Sequence, residues 1–166
     1  MKKIILIIAL IGSFLTPVSL WAVGTCVESI GYIRYDTTNS LSTKTVTFVC
    51  TADAGAATFP STAFSATAME QITGWFLLTG STLNGATGPT AGTLITLSTS
   101  TEGDILGGAG KTPPAATAAL ANKFKPFVDS ANLSPGAVPI SSGLTLAITG
   151  NAVNSAVTTI VFKFIK

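Results

Sequence analysis

The sequence contains no histidine. Imidazole is the one side chain whose unperturbed pKa lies between about pH 5 and 8, so the usual His-activated serine or cysteine nucleophile is excluded. A Ser–Lys pair is the remaining arrangement, but Ser42 and Lys44 do not have the S-x-x-K spacing, and no G-x-S-x-G elbow occurs. The sequence therefore predicts a protein that is not an enzyme and has no catalytic residues.

Charged residues are also scarce. Asp, Glu, Lys and Arg make up 10% of the chain, and Arg34 is its only arginine. Two of the nine basic residues, Lys2 and Lys3, lie in an N-terminal segment that we expect to be removed, which leaves seven basic against seven acidic residues. Because affinity for nucleic acids depends on neutralising phosphates with Lys and Arg, we expect no nucleic-acid partner.

The N-terminal segment has the order of a secretory signal peptide. Two lysines precede an apolar run from Ile4 to Leu15, which is followed by a polar break and by Ala22. A short basic region, an apolar region and a small residue at the cleavage point are typical of such peptides. We therefore predict that residues 1–22 are a signal peptide cleaved after Ala22, and that residues 23–166 form a single domain.

A retained membrane helix is the alternative for this segment. Such a helix needs roughly 20 unbroken apolar residues, and Thr16, Pro17 and Ser19 interrupt the run. We therefore expect no stable membrane anchor after cleavage. The mature chain is expected to be exported to the periplasm or the extracellular space. There it is either free or associated with a larger particle.

Only two cysteines occur, Cys26 and Cys50. Two thiols without histidine are too few for a tetrahedral zinc site. Export places the thiols where disulfides persist, and folding residues 26–36 onto residues 44–52 as a hairpin brings Cys26 near Cys50. We predict one disulfide, which stabilises the fold by about 3 kcal/mol in the chain-entropy treatment. Two free thiols are the alternative.

The chain is rich in Thr, Ser, Gly and Ala, with short β-branched or aromatic runs between turn residues. This pattern predicts an all-β fold, an antiparallel β-sandwich of about six to eight strands. The long strands are expected at residues 26–36, 44–52, 71–79, 93–99, 143–149 and 156–166. The last two of these are expected to pair as a hairpin across the turn GNAVNS.

At most one short helix is expected, near residues 113–125. Thr112 is a suitable N-cap, Pro113 fits the first turn and Pro126 ends the segment. An extended surface crossing is the alternative for this Ala-rich stretch.

The predicted strand 71–79 is apolar on both faces, with Trp75 and Leu77 on one of them. A strand of this kind is covered on both sides, either at the centre of the sandwich under a loop or helix, or at a contact with another subunit. Trp75 and Leu77 are accordingly the candidate interface residues. Trp75 is also a candidate, with Tyr32 and Tyr35, for a carbohydrate or peptide platform, with packing in the core or at a subunit contact as the alternative.

The stretch EGDILGGAGKTPP, residues 102–114, ends like a nucleotide-binding P-loop. The motif requires a glycine five residues before Gly110, where Ile105 stands, and two prolines follow Thr112 where a long helix should begin. We therefore expect no nucleotide and no other cofactor.

This loop is instead predicted to be a tight turn. Gly107, Gly108 and Gly110 allow positive φ. The Leu106 side chain is expected to be buried at the rim of the core.

Glu102 and Asp104 are the acidic residues that lie closest together in the sequence. At i and i+2 of a strand end they project to one face, where together with backbone carbonyls they offer Ca²⁺ a partial oxygen shell. A solvated loop edge is the alternative, and we assign no metal site beyond these two candidates. An enzyme that used them would need a cleft with a second carboxylate beside Glu102 or Asp104.

Four segments, KTVTFVCTADA, ITGWFLLTGSTLNGATGPTAGTLITL, EGDILGGAG and SGLTLAITGNAVNSAVTTIVFKF, follow one another within residues 44–166. Together they resemble a family of small phage and prophage proteins encoded among virion genes. In that family a strand precedes a Gly/Pro/Thr-rich loop, an acidic turn follows, and a hairpin ends the chain. The resemblance implies a β-sandwich that assembles with copies of itself or with other virion proteins, with no catalytic residues to carry over.

These observations predict a non-enzymatic, exported structural or assembly subunit, which is virion-related if the resemblance extends to function. Its expected partners are further copies of itself or other structural proteins, and no cofactor is expected. The alternative is a periplasmic or extracellular binding module for a glycan, a protein or Ca²⁺.

Overall fold

The computed structural model of the protein describes residues 23–34, 42–113, 122–129 and 134–166. The predicted signal peptide, residues 1–22, lies outside the described residues. In chain order the elements are β1 Thr25–Arg34, β2 Ser42–Thr51, β3 Thr62–Ala63, α1 Ala66–Ile72, β4 Phe76–Asn84, β5 Leu94–Thr99, β6 Gly103–Asp104, β7 Asn122–Phe124, β8 Phe127–Asp129, β9 Ser134–Pro135, β10 Val138–Pro139, β11 Leu144–Thr149 and β12 Val157–Ile165.

Antiparallel pairing joins most of the strands into two main sheets, and β8 and β9 pair separately with each other. The larger sheet has the strand order β1-β2-β12-β4-β10, with β7 also paired to β4, and the smaller has the order β3-β11-β5-β6. Buried side chains from both sheets form one hydrophobic core, for example Phe48 and Phe162 from the larger and Leu97 and Leu146 from the smaller. The predicted all-β, sandwich-like fold is confirmed.

β1 and β2 form the predicted N-terminal hairpin. Their antiparallel register runs unbroken over all ten residues of each strand. Cys26 lies directly opposite Cys50 in this register, and the two form a disulfide. The predicted disulfide is therefore confirmed. Because Cys50 is fully buried, the disulfide joins the two strands on the core side of the sheet.

The helix lies elsewhere than predicted. α1 immediately precedes β4, and the Ser65 side chain caps its N-terminus by accepting a hydrogen bond from the Ala68 N–H at 3.1 Å. The predicted strand 71–79 is therefore wrong in its first part, because the chain is helical up to Ile72 and β4 begins only at Phe76. α1 has seven residues, and among the described residues no helix is long and apolar enough to cross a membrane.

The segment predicted as a helix, residues 113–125, lies partly outside the described residues, which omit 114–121. Its later part is strand β7, which pairs with β4. Phe124 is buried there over Gly80, where any Cβ would collide with the Phe124 ring. The prediction is therefore wrong for Asn122–Phe124, because backbone pairing and the packing of Phe124 on a glycine of the sheet hold these residues as a strand.

The last two long strands do not form the predicted hairpin. β11 pairs with β3 and β5 in the smaller sheet, whereas β12 pairs with β2 and β4 in the larger one. The alternating apolar side chains of both strands are buried as expected, but they enter the core from opposite sheets. Asn151 stabilises the connection that crosses between the sheets, because its side chain donates to the Ala57 carbonyl at 2.6 Å and accepts from the Thr90 N–H at 3.0 Å.

Candidate functional site

The first sequence-predicted site is the loop that contains Glu102 and Asp104. The Asp104 carboxylate accepts hydrogen bonds from the N–H groups of Leu97 and Leu106, both at 3.0 Å, and of Gly108 at 2.9 Å. These bonds fold the loop back onto β5. Glu102 is exposed, and its backbone N–H donates to the Thr99 hydroxyl at 2.8 Å. Asp104 thus organises the turn through its carboxylate.

This arrangement bears on the calcium prediction for Glu102 and Asp104. Three backbone N–H groups donate to the Asp104 carboxylate and occupy lone pairs that a bound cation would need. Within the described ranges, no three or more His, Cys, Asp or Glu residues are grouped so that they could hold a metal ion. The geometry therefore favours the solvated loop edge, with a structural role for Asp104.

The glycines of the same loop have two different roles. Gly107 and Gly108 have φ of 56° and 75°, as predicted for a tight turn. Gly110 does not have positive φ; a Cβ at this position would collide with the backbone of Ile95, whose N–H donates to the Gly110 carbonyl at 2.8 Å. Leu106 is fully buried, as predicted.

Replacing Asp104 by Ala is expected to lower the free energy of unfolding by about 2 kcal/mol, because three backbone donors lose a charged acceptor. Chemical denaturation of the full chain measures this loss. Glu102→Ala, at an exposed position of the same turn, is the matched control and should change stability by less than about 0.5 kcal/mol. Equal effects of the two substitutions would contradict the role assigned to Asp104.

Trp75 and Leu77, the predicted interface residues, are buried inside the chain. Trp75 is 9% exposed and Leu77 is fully buried, and both belong to the hydrophobic core. The Lys44 Nζ lies 4.3 Å from the centroid of the Trp75 ring, a cation–π contact within the chain. The assignment of these two side chains to a subunit interface is therefore corrected, because the core of this same chain covers them.

Around the Trp75 ring, polar groups join β1, β2 and α1. The Tyr32 hydroxyl donates to the Gln71 Oε1 at 2.7 Å, and Lys44 Nζ donates to the Gln71 carbonyl. Lys44 Nζ also lies 5.1 Å from the centroid of the Tyr32 ring. Tyr32 is 66% exposed, whereas Tyr35 lies outside the described residues. Of the three residues predicted to form an aromatic platform, Trp75 is buried in the core. Tyr32 is the one that is exposed among the described residues.

The outer face of the larger sheet is formed by the side chains of β1, β2, β12 and β4 that point away from the core. One row across this face consists of Val27, Val49, Thr159 and Leu83, which lie opposite one another in register. Val27 is 65% exposed, Val49 44% and Leu83 41%. Phe76, 43% exposed, lies opposite β12 on the same face. Four of the six exposed large hydrophobic residues in the described part of the chain therefore share one surface.

The rest of the outer face is small or β-branched and nearly free of charge. Two further rows are Ser29, Thr47, Val161 and Ser81, and Gly31, Thr45, Lys163 and Thr79. Among the described residues of these four strands, Lys163 is the one charged residue on the outer face. A surface of this composition loses little charge solvation when another protein surface covers it.

The sequence interpretation missed the outer face, although β2 carries a signal for it. Every second residue from Thr43 to Thr51 is Thr or Val. The solvent face of an antiparallel sheet ordinarily alternates polar and charged residues against the buried ones. A strand with only Thr and Val on its outer side and an apolar inner side indicates a surface suited to contact with another protein. Applied to residues 43–51, this criterion predicts the outer face from the sequence.

Comparison of the whole sequence and fold with known protein families, with curated proteins and with solved structures gives no match.

Proposed function

We propose that this protein is a non-enzymatic structural subunit that acts outside the cytosol and assembles with further copies of itself. The outer face carries this proposal, because it gathers the exposed side chains of Val27, Val49, Phe76 and Leu83 on a nearly uncharged sheet. Monomeric soluble proteins rarely leave large contiguous apolar patches in water. A second copy packed on the outer face would remove these side chains from water with little loss of charge solvation.

Two features support the location. The Cys26–Cys50 disulfide is typical of proteins in oxidising compartments outside the cytosol. The signal-peptide pattern of residues 1–22 supports export to the periplasm or the extracellular space. The resemblance of residues 44–166 to phage and prophage proteins supports a more specific proposal, that the assembly is part of a virion.

The solution mass of the exported protein tests the proposal. Light scattering on the column eluate, over a wide range of protein concentration, should give a mass that is a multiple of one chain. Imaging of the largest species would then show whether the assembly is closed or filamentous. A mass of one chain at every concentration would contradict self-assembly.

Replacing Val49 and Leu83 together by Asp is expected to weaken the assembly by at least about tenfold, because contact would then bury carboxylates without partners. Both positions are partly exposed, so thermal unfolding should stay close to that of the unmodified protein. Ala91→Asp, at an exposed turn position before β5, is the control and should assemble normally. An unchanged concentration dependence in the double variant would exclude the outer face as a contact.

A further inference from the structure

In the part of the chain that the structure describes, β1 is a long open edge of the larger sheet. It pairs with β2 along all ten of its residues and is the last strand in the sheet order. No strand within the described ranges lies on its other side. Its outward-directed backbone N–H and C=O groups are therefore placed to pair with a further strand.

In the described part of the chain, the other edge strands of the two main sheets are short, and the longest of them, β7, has three residues. β10, at the opposite end of the larger sheet, has two residues and ends in Pro139. β3 and β6, which flank the smaller sheet, also have two residues each. Short strands and prolines are common devices that prevent edge pairing. β1 has neither, since it is ten residues long and contains no proline.

From Thr25 to Tyr32, β1 also has no charged side chain directed to the open edge. Glu28 is the one charged residue between Thr25 and Ile33. Its carboxylate accepts hydrogen bonds from the Ser65 N–H at 2.9 Å and from the Ser65 hydroxyl at 2.7 Å. Glu28 is thus turned toward the N-terminus of α1, and the disulfide to β2 holds the open edge in place.

We propose that a second copy of this chain pairs with β1 through its own β1, antiparallel and about a twofold axis. The inference rests on the proposed self-assembly and names one of its contacts. Two identical antiparallel strands are self-complementary. A twofold axis near Ser29 or Ile30 pairs most of the strand, and Glu28 then lies opposite Ile30 or Tyr32 of the other copy. Like charges do not meet in either register, whereas parallel in-register pairing would place Glu28 on Glu28.

This contact extends the outer face. A twofold axis perpendicular to the sheet keeps the outward side chains of both copies on the same side. Val27 then lies opposite Gly31 or Ile33 of the other copy, and the outer face continues across the contact. The pair therefore has one continuous sheet with about twice the apolar surface of a single chain. Further copies would stack on that doubled face, which gives the assembly two different contacts.

Charge variants at Ser29 test the edge contact in the full exported protein. Ser29 is exposed and lies near the middle of β1, so Ser29→Lys places two like charges near the twofold axis. Ser29→Lys and Ser29→Glu should each reduce the assembled mass at least about twofold and weaken association by roughly tenfold or more. An equimolar mixture of the two variants should restore the assembly. Ser100→Lys, at an exposed turn position, is the control and should not change the mass.

Hydrogen exchange over residues 25–34 provides the second readout. In the unmodified assembly the amides of β1 should exchange slowly on both sides of the strand, and either Ser29 variant should expose half of them. If the unmodified protein assembles but its β1 amides exchange rapidly, or if Ser29→Lys leaves mass and exchange unchanged, the edge contact is wrong and self-assembly stands. If the unmodified protein is a single chain at every concentration, both proposals fail.

Discussion

Replacing Trp75 by Asp is expected to unfold the protein and not merely to dissociate an assembly. Trp75 is 9% exposed and lies in the core with the Lys44 ammonium over its ring. Truncating a buried Trp costs about 3–5 kcal/mol, and a buried carboxylate adds its own desolvation cost. We expect a total loss of at least about 5 kcal/mol, which is comparable with the whole stability of many domains.

Circular dichroism and chemical denaturation of the full chain measure this effect. Trp75→Phe keeps an aromatic ring in the same space and should cost only about 1–2 kcal/mol. Phe76→Asp is the matched control, because Phe76 is the next residue and is 43% exposed on the outer face. It should leave the fold intact and affect assembly only. A Trp75→Asp variant that is folded and of normal stability would mean that Trp75 does not support the core.

Replacing both Cys26 and Cys50 by Ala is expected to lower the free energy of unfolding by about 3 kcal/mol, because the disulfide closes a loop between residues 24 positions apart. Chemical denaturation with and without reductant measures the loss. Reductant should destabilise the unmodified protein by a similar amount and should have no effect on the double variant. A reduced protein as stable as the oxidised one would contradict a stabilising role for the disulfide.

The same double variant connects stability to assembly. The disulfide lies near the N-terminal end of β1 and ties it to β2 on the core side. Without it, β1 keeps its backbone pairing but loses its covalent link to the sheet. We therefore expect hydrogen exchange to rise first over residues 25–34, and the edge contact to weaken even where the rest of the protein stays folded.

The local pattern of the sequence determined the strand-rich fold, the N-terminal hairpin and the disulfide. Each of these depends on residues close together in the chain: alternating apolar positions in β2, a short connection between β1 and β2, and the placement of Cys26 and Cys50 at matching distances from that connection. The turn at Gly107 and Gly108 was also predictable, because positive φ is easily accessible only to glycine.

Beyond the N-terminal hairpin, the tertiary structure alone decided which strands pair and which face is covered. Alternation in β11 and β12 showed that each strand buries one face, but a buried face looks the same whether it enters the core from one sheet or from the other. For the same reason apolar residues on both sides of residues 71–79 did not distinguish a subunit contact from the core. The structure buries Trp75 and Leu77 in the hydrophobic core of this chain. The open edge of β1 became visible only once the order of the strands in the larger sheet was known, because an edge is a property of the whole sheet and not of any one strand.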